Sequence, residues 1–205
     1  MNSAGTLFVV SAPSGAGKTS LVRELRSRLQ GFTVSISHTT RPQRPGEQHG
    51  REYYFVSREE FDVMVGEGAF LEHARVFDNH YGTARQTVDA ALMAGMDVVL
   101  EIDWQGARQI KALMPDCQTI FILPPARPIL EERLRGRGQD GEDVIARRMR
   151  DAISEMTHYP EFDYLVVNDD FETAVGQLIQ IVEASRLKTA RQRVRLETLI
   201  NDLLA

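Results

Sequence analysis

The feature that most constrains this chain is Ala12-Pro13-Ser14-Gly15-Ala16-Gly17-Lys18-Thr19, set between the apolar run Leu7-Phe8-Val9-Val10 and the helical pattern Ser20-Leu21-Val22-Arg23-Glu24-Leu25. Strand, glycine-rich turn and helix start, in that order, are the setting in which a loop wraps phosphates. Glycines at 15 and 17 let successive backbone N–H groups turn inward as an anion nest, and the helix N-terminus adds the positive end of its dipole. In this pattern residues Ala12 to Ser20 cradle a nucleotide's phosphates, Lys18 reaches the terminal ones and Thr19 holds Mg2+. Ala12 stands where the G-x-x-x-x-G-K-[ST] pattern has its first glycine, while the Gly15-x-Gly17-Lys18-Thr19 core is intact. Of the 24 basic residues only 18, 111 and 188 are Lys. One of these falls where a compact ammonium suits the phosphates better than a forked guanidinium.

Strand-like runs recur at Thr33–Ile36, Asp97–Ile102, Thr119–Leu123 and Tyr164–Val167, separated mostly by helical patterns. That alternation predicts an α/β protein with a parallel sheet covered by helices. Ser57-Arg58-Glu59-Glu60 reads as a capping box, Trp104 to Met114 as a helix stopped by Pro115, and 127–135 and 143–159 as helices around Gly136-Arg137-Gly138. The stretch from Phe171 to Leu204 has no Pro and only Gly176, so it is expected to break or to pack against another subunit.

Composition removes several classes. A 205-residue chain that is 42% hydrophobic suffices for one compact domain with inserts. A net charge of −5 gives no general field for nucleic acid, so anion-binding charge has to be local. Cys117 is alone, no apolar run approaches the ~20 residues of a membrane span, and the N-terminus has no signal-peptide pattern. These features predict a reduced cytoplasmic protein. The five histidines have no metal-ligand spacing, and Ser14 has no base beside it for nucleophilic chemistry.

Residues 35–94 interrupt the β–α alternation with turns, arginines and aromatics, which suggests a second binding lobe. On a proline-stiffened loop, Arg41 and Arg44 can aim two guanidinium forks at one phosphate, and Tyr53 and Tyr81 can each donate a hydroxyl to it. A solvated loop carrying arginines is the alternative reading of this window.

Several segments together carry a family likeness: the phosphate loop, Ser37-His38-Thr39-Thr40-Arg41-Pro42-Gln43-Arg44-Pro45-Gly46-Glu47, Phe70-Leu71-Glu72-His73-Ala74, Tyr81-Gly82-Thr83, Ile102-Asp103-Trp104-Gln105-Gly106, Gly136-Arg137-Gly138 and Val167-Asn168-Asp169-Asp170. In this order, from about residue 6 to 187, the chain closely resembles the bacterial guanylate kinases. The resemblance implies a P-loop NTPase-type parallel core flanked by helices, with a monophosphate-binding lobe and a helical lid. It implies one domain over 1–205, with the core at 4–34, 95–133 and 158–205, the lobe at 35–94 and the lid at 134–157. The implied reaction is Mg2+-dependent transfer of the ATP γ-phosphoryl to GMP, with dGMP as a second acceptor.

By the same resemblance, Ser37, Arg41, Arg44, Tyr53 and Tyr81 would grip the GMP phosphate, and Glu72, Thr83 and Asp103 would read the guanine. Guanine presents N1–H and a 2-amino group side by side, which suits the two oxygens of an ionised carboxylate at Glu72. Thr83 is expected to donate to guanine O6, and its place before a helical stretch ending at Met93 also suits an N-cap. Glu101-Ile102-Asp103 resembles the second phosphate-site motif, where the family more often has Asp-x-Asp. The longer Glu101 is therefore expected to address Mg2+ through water.

Arg133, Arg137 and Arg148 would bring lid charge to the transferring group, and Asn168 would steady an arginine or the ATP. Phosphoryl transfer needs mainly positioning and positive charge, so no general base is sought. Two other classes fit parts of the pattern: a non-catalytic binding module of the same fold, and a kinase for another nucleoside monophosphate. A homo-oligomer is compatible with the long C-terminal stretch.

Overall fold

The computed structural model describes residues 5–76, 78–136 and 141–205; Arg137 and Gly138, near the start of the expected lid, lie outside the described residues. Among the described residues the strands are β1 (Leu7–Ser11), β2 (Phe32–Val34), β3 (His38–Thr39), β4 (Tyr54–Phe55), β5 (Phe70–Val76), β6 (Asn79–Ala84), β7 (Asp97–Glu101), β8 (Gln118–Leu123) and β9 (Tyr164–Val167). The helices are α1 (Lys18–Arg28), α2 (Arg58–Gly66), α3 (Arg85–Met93), α4 (Trp104–Leu113), α5 (Arg127–Arg135), α6 (Glu142–Met156), α7 (Phe171–Arg186), α8 (Thr189–Arg195) and α9 (Glu197–Leu204).

Strands in the order β2-β7-β1-β8-β9 form a sheet in which every pairing is parallel. Its central strand is buried at every position, because helices cover both faces and the strand must be apolar throughout. The two-residue pleat sorts the side chains of β1. Phe8 and Val10 pack with Leu21, Val22 and Leu25 of α1 and with Ala174, Val175, Leu178 and Val182 of α7. Leu7 and Val9 face the other way, onto Val88 and Leu92 of α3 and Ala107 and Ile110 of α4.

The lobe between β2 and β7 contains a second, mixed sheet, ordered β4-β3-β6-β5, that the sequence patterns did not reveal. Two of its strands are only two residues long, too short to show a period. The capping box at Ser57 is formed: its hydroxyl accepts from the Glu60 amide, and the Glu60 carboxylate accepts from the Ser57 amide. Helices α5 and α6 pack together through Leu130, Leu134 and Ala152, with Met149 and Met156 alongside.

The C-terminal stretch breaks into α7, α8 and α9, with Lys188 in a non-helical conformation and Leu196 between the last two helices. The first break is tied to the sheet by charge. Asp97, fully buried, accepts from Thr6 N at 2.9 Å, Arg186 Nε at 2.8 Å and Arg191 Nη1 at 2.6 Å. A carboxylate taken from water is tolerable only with such partners, and their placement fixes where the chain turns. Helix α9 exposes Leu199, Leu203 and Leu204. Among the described residues no helix is long and apolar enough to cross a membrane.

Candidate active site

The phosphate loop leaves the end of β1 and closes on the first turn of α1. Gly15 and Gly17 take φ of 92° and 93°, the left-handed region that favours glycine. Gly17 is doubly constrained, since a Cβ there would lie 2.4 Å from Asn168 Nδ2. That amide donates to the Ala16 carbonyl at 2.7 Å, so the buried Asn168 side chain braces the loop from below. The Asn168 carbonyl accepts from Arg133 Nη2 at 3.1 Å, and one residue thereby links the loop to an arginine of α5. From the front, Ser11 Oγ and Lys18 Nζ both donate to the Ile102 carbonyl, at 2.7 and 3.3 Å.

Thr19 Oγ1 donates to Glu101 Oε2 at 3.0 Å, pairing a hydroxyl with a carboxylate at the mouth of the loop. These are hard oxygen donors of the kind Mg2+ takes, with phosphates and water supplying its other positions. Among the described residues no group of three or more His, Cys, Asp or Glu is placed to hold a metal unaided. The donor set fits an ion that arrives with a nucleotide.

One cavity of about 320 Å3 runs from this loop to the second sheet, where Ser37, Tyr53, Glu72, Tyr81 and Asp103 line it. The antiparallel pair β5·β6 sets Glu72 opposite Thr83, and the β3·β6 pair sets Tyr81 opposite Thr39. Thr83 Oγ1 donates to Glu72 Oε1 at 2.6 Å inside the protein. Glu72 is 3% exposed, and burial pushes its carboxyl up to about 7 against the pull of that hydroxyl. Gly106 permits the approach of α4, because a Cβ there would lie 2.7 Å from Glu72 Oε2. Asp103 caps α4 by accepting from the Gly106 amide at 2.9 Å, so its carboxylate both lines the cavity and holds the helix end beside Glu72. The ring centroids of Tyr53 and Tyr81 lie 5.9 Å apart. Burial pushes the Tyr53 hydroxyl up to about 12, which keeps it a donor.

One expectation is corrected. Thr83 is not the N-cap of α3: that position is Ala84, without a side-chain cap, and the Thr83 hydroxyl is committed to Glu72. Neither Arg41 nor Arg44 is among the residues that line the cavity. Arg41 Nη2 donates to Glu47 Oε1 at 2.7 Å, with its guanidinium carbon 5.4 Å from the Tyr53 ring centre, and the Arg44 amide donates to Glu47 Oε2 at 2.8 Å. Arg44 is exposed. The bond from Arg41 holds the Glu47 carboxyl below the usual carboxylate range.

Arg133 also has a buried Nη1 without a partner, and Arg148 lies half-buried on α6. A residue the sequence did not single out completes the lining: Glu155, also on α6, accepts from the Ser14 amide at 3.3 Å. Its partner is 141 positions away, so no local pattern could have announced it.

A phosphate loop on the central strand of a parallel sheet, joined by one cavity to a small sheet bearing tyrosines and a buried acid, defines a P-loop kinase of the nucleoside monophosphate class. Comparison with known proteins narrows this. The family model described as guanylate kinase matches residues 4–185. A guanylate kinase of Methylococcus capsulatus is 62% identical over 200 residues, and one of Salmonella paratyphi A is 57% identical over 203; each match covers 98% of both chains. The crystal structure of guanylate kinase from Anaplasma phagocytophilum superposes with a TM-score of 0.80 at 34% identity, covering 96% of this chain and 95% of that one. The chain belongs to the guanylate kinase family.

Proposed function

We infer that the chain works as a guanylate kinase, transferring the γ-phosphoryl group of ATP to GMP, and to dGMP, in purine nucleotide metabolism in the cytoplasm. The observation that carries this reading is the single cavity joining the glycine-rich loop to the buried Glu72–Thr83 pair. Such a shape holds two nucleotides with their phosphates toward each other.

In this reading the loop amides from Ser14 to Ser20 and the Lys18 ammonium hold the ATP phosphates. Thr19 directly and Glu101 through water would hold Mg2+, which would neutralise charge on the phosphates. Tyr53, Tyr81 and Ser37 donate to the GMP phosphate. Arg41 joins them once that phosphate displaces the Glu47 carboxylate, with the exposed Arg44 guanidinium free to reach in beside it. Glu72 accepts from guanine N1–H and the 2-amino group, Asp103 borders the base, and Thr83 acts behind Glu72 through their hydrogen bond. Arg133, held at the Asn168 carbonyl, supplies positive charge with Arg137 and Arg148 as the transition state spreads charge over the transferring group. Segments 4–34, 95–133 and 158–205 act as the core, 35–94 as the acceptor lobe and 134–157 as the lid of one domain. The exposed leucines of α9 suit association between copies.

The test is a coupled assay of ADP release with Mg-ATP and equal concentrations of GMP, dGMP, AMP, UMP or dTMP. Turnover with GMP and dGMP alone supports the reading. Comparable turnover with AMP would overturn it.

A further inference from the structure

A phosphate nest is built to receive an anion, and here the chain itself offers one. Glu155 lies in the last turn of α6, and its Oε2 accepts from the amide of Ser14, inside the loop that would cradle phosphate. The hairpin that carries it is pressed against the same loop. A Cβ on Gly15 would meet Leu130 at 3.0 Å and Leu134 at 3.1 Å, and Leu134 packs in one cluster with Ala152 of α6. The charged groups facing Glu155 are Lys18 from the phosphate loop, Asp103 from the start of α4 and Asp151 from its own helix. One cation and two carboxylates are poor compensation for a half-buried anion, and burial pushes the Glu155 carboxyl up to about 7. A carboxylate kept there at a cost has its best partner in the loop amide.

We propose that Glu155 is an internal competitor for the phosphate loop: it occupies the Ser14 donor while the loop holds no nucleotide, and the incoming triphosphate displaces it and frees α6. This rests on the reading of the loop as the ATP site. A ligand shifts such an equilibrium only through its different affinity for the two arrangements, and here the difference is the bond that Glu155 loses together with its repulsion from the phosphates. Removing the carboxylate therefore strengthens triphosphate binding. The role is one of positioning, because Glu155 acts through the loop and the helix it holds.

The probe is inorganic tripolyphosphate, which engages the nest without a base or a ribose, titrated calorimetrically into the full-length chain and its Glu155→Gln and Glu155→Ala variants. Losing the charge in Glu155→Gln, and the charge together with the hydrogen bond in Glu155→Ala, is expected to tighten binding about 2- to 10-fold, more in the Ala variant, with KM for ATP falling by a similar factor and kcat changing less. GMP affinity reports whether each variant has folded. Equal or weaker binding of tripolyphosphate in a variant that still binds GMP overturns the proposal.

Hydrogen exchange on the unaltered chain gives an answer even if neither variant folds. Tripolyphosphate should slow exchange in residues 13–19 and quicken it in the second half of α6; slower exchange in both would contradict the displacement. The failure of one reading is separable from failure of the other. A chain that leaves GMP unphosphorylated, but whose variants grip tripolyphosphate more tightly, keeps the displacement and loses the activity. An active kinase whose variants show no gain does the reverse.

Discussion

The two ends of the cavity are built on different principles. At the phosphate loop the binding groups are backbone amides, held by glycine dihedrals, the Asn168 brace and the start of α1. At the acceptor end they are side chains already engaged with one another: Glu72 with Thr83, and Arg41 with Glu47. The loop can take phosphate with little rearrangement of its own backbone, giving up one contact, from Ser14 to Glu155, whereas the acceptor end has to exchange several side-chain partners before it can bind. Generic recognition of phosphate suits fixed donors, which carry no protonation state. Recognition of one base needs groups that lose more when the wrong base arrives.

The largest expected effect lies at the loop end. Lys18→Ala should lower kcat by about 10³-fold, because its charge is needed most as the phosphoryl group moves, while KM for GMP changes little. Steady-state kinetics with both substrates varied checks this. An equal loss in both parameters would mean that the two ends are not separable. At the acceptor end, Glu72→Gln should raise KM for GMP by about 10²-fold and weaken discrimination against AMP. An unchanged preference for GMP would move base recognition elsewhere.

The third effect is a pH dependence confined to one end. Guanine's two donors require Glu72 ionised, and its carboxyl in the free protein lies near 7. Below that pH a proton must leave before GMP binds, so affinity should fall by up to about tenfold per unit as pH drops, and level off above it. Calorimetry across neutral pH checks the slope. Because the GMP phosphate also titrates near this range, the decisive comparison is with Glu72→Gln, in which the part due to Glu72 should vanish. The smallest effect is at Glu47. Replacing it with Gln removes the charge that occupies Arg41 and should tighten GMP binding about 2- to 5-fold, measurable in the same titrations.

The same division governs what could be read from the sequence. The phosphate loop was legible because glycine spacing and the strand–helix setting are local, and the parallel core was legible because strands buried on both faces read as apolar runs. Helix α5 falls at the expected Arg127–Arg135, bounded by cues within a few residues of its ends. The partner-exchanging end was less legible. Glu47 competes for Arg41 through loop geometry that no periodicity encodes, and Thr83 looks like a helix cap until the sheet register sets it against Glu72. The break after α7 comes from Asp97 gripping Arg186 and Arg191, which lie 89 and 94 positions away. Glu155 is hidden for the same reason. Contacts over such distances are fixed only once the sheet has assembled.

The central claim is that both ends belong to one continuous site. Its most direct test is the binding of a bisubstrate ligand, adenosine and guanosine joined through a chain of phosphates, measured by calorimetry against ATP and GMP alone. The account predicts one molecule per chain, bound far more tightly than either nucleotide and weakened by both Lys18→Ala and Glu72→Gln. An affinity no better than that of ATP, or one indifferent to Glu72, would contradict it.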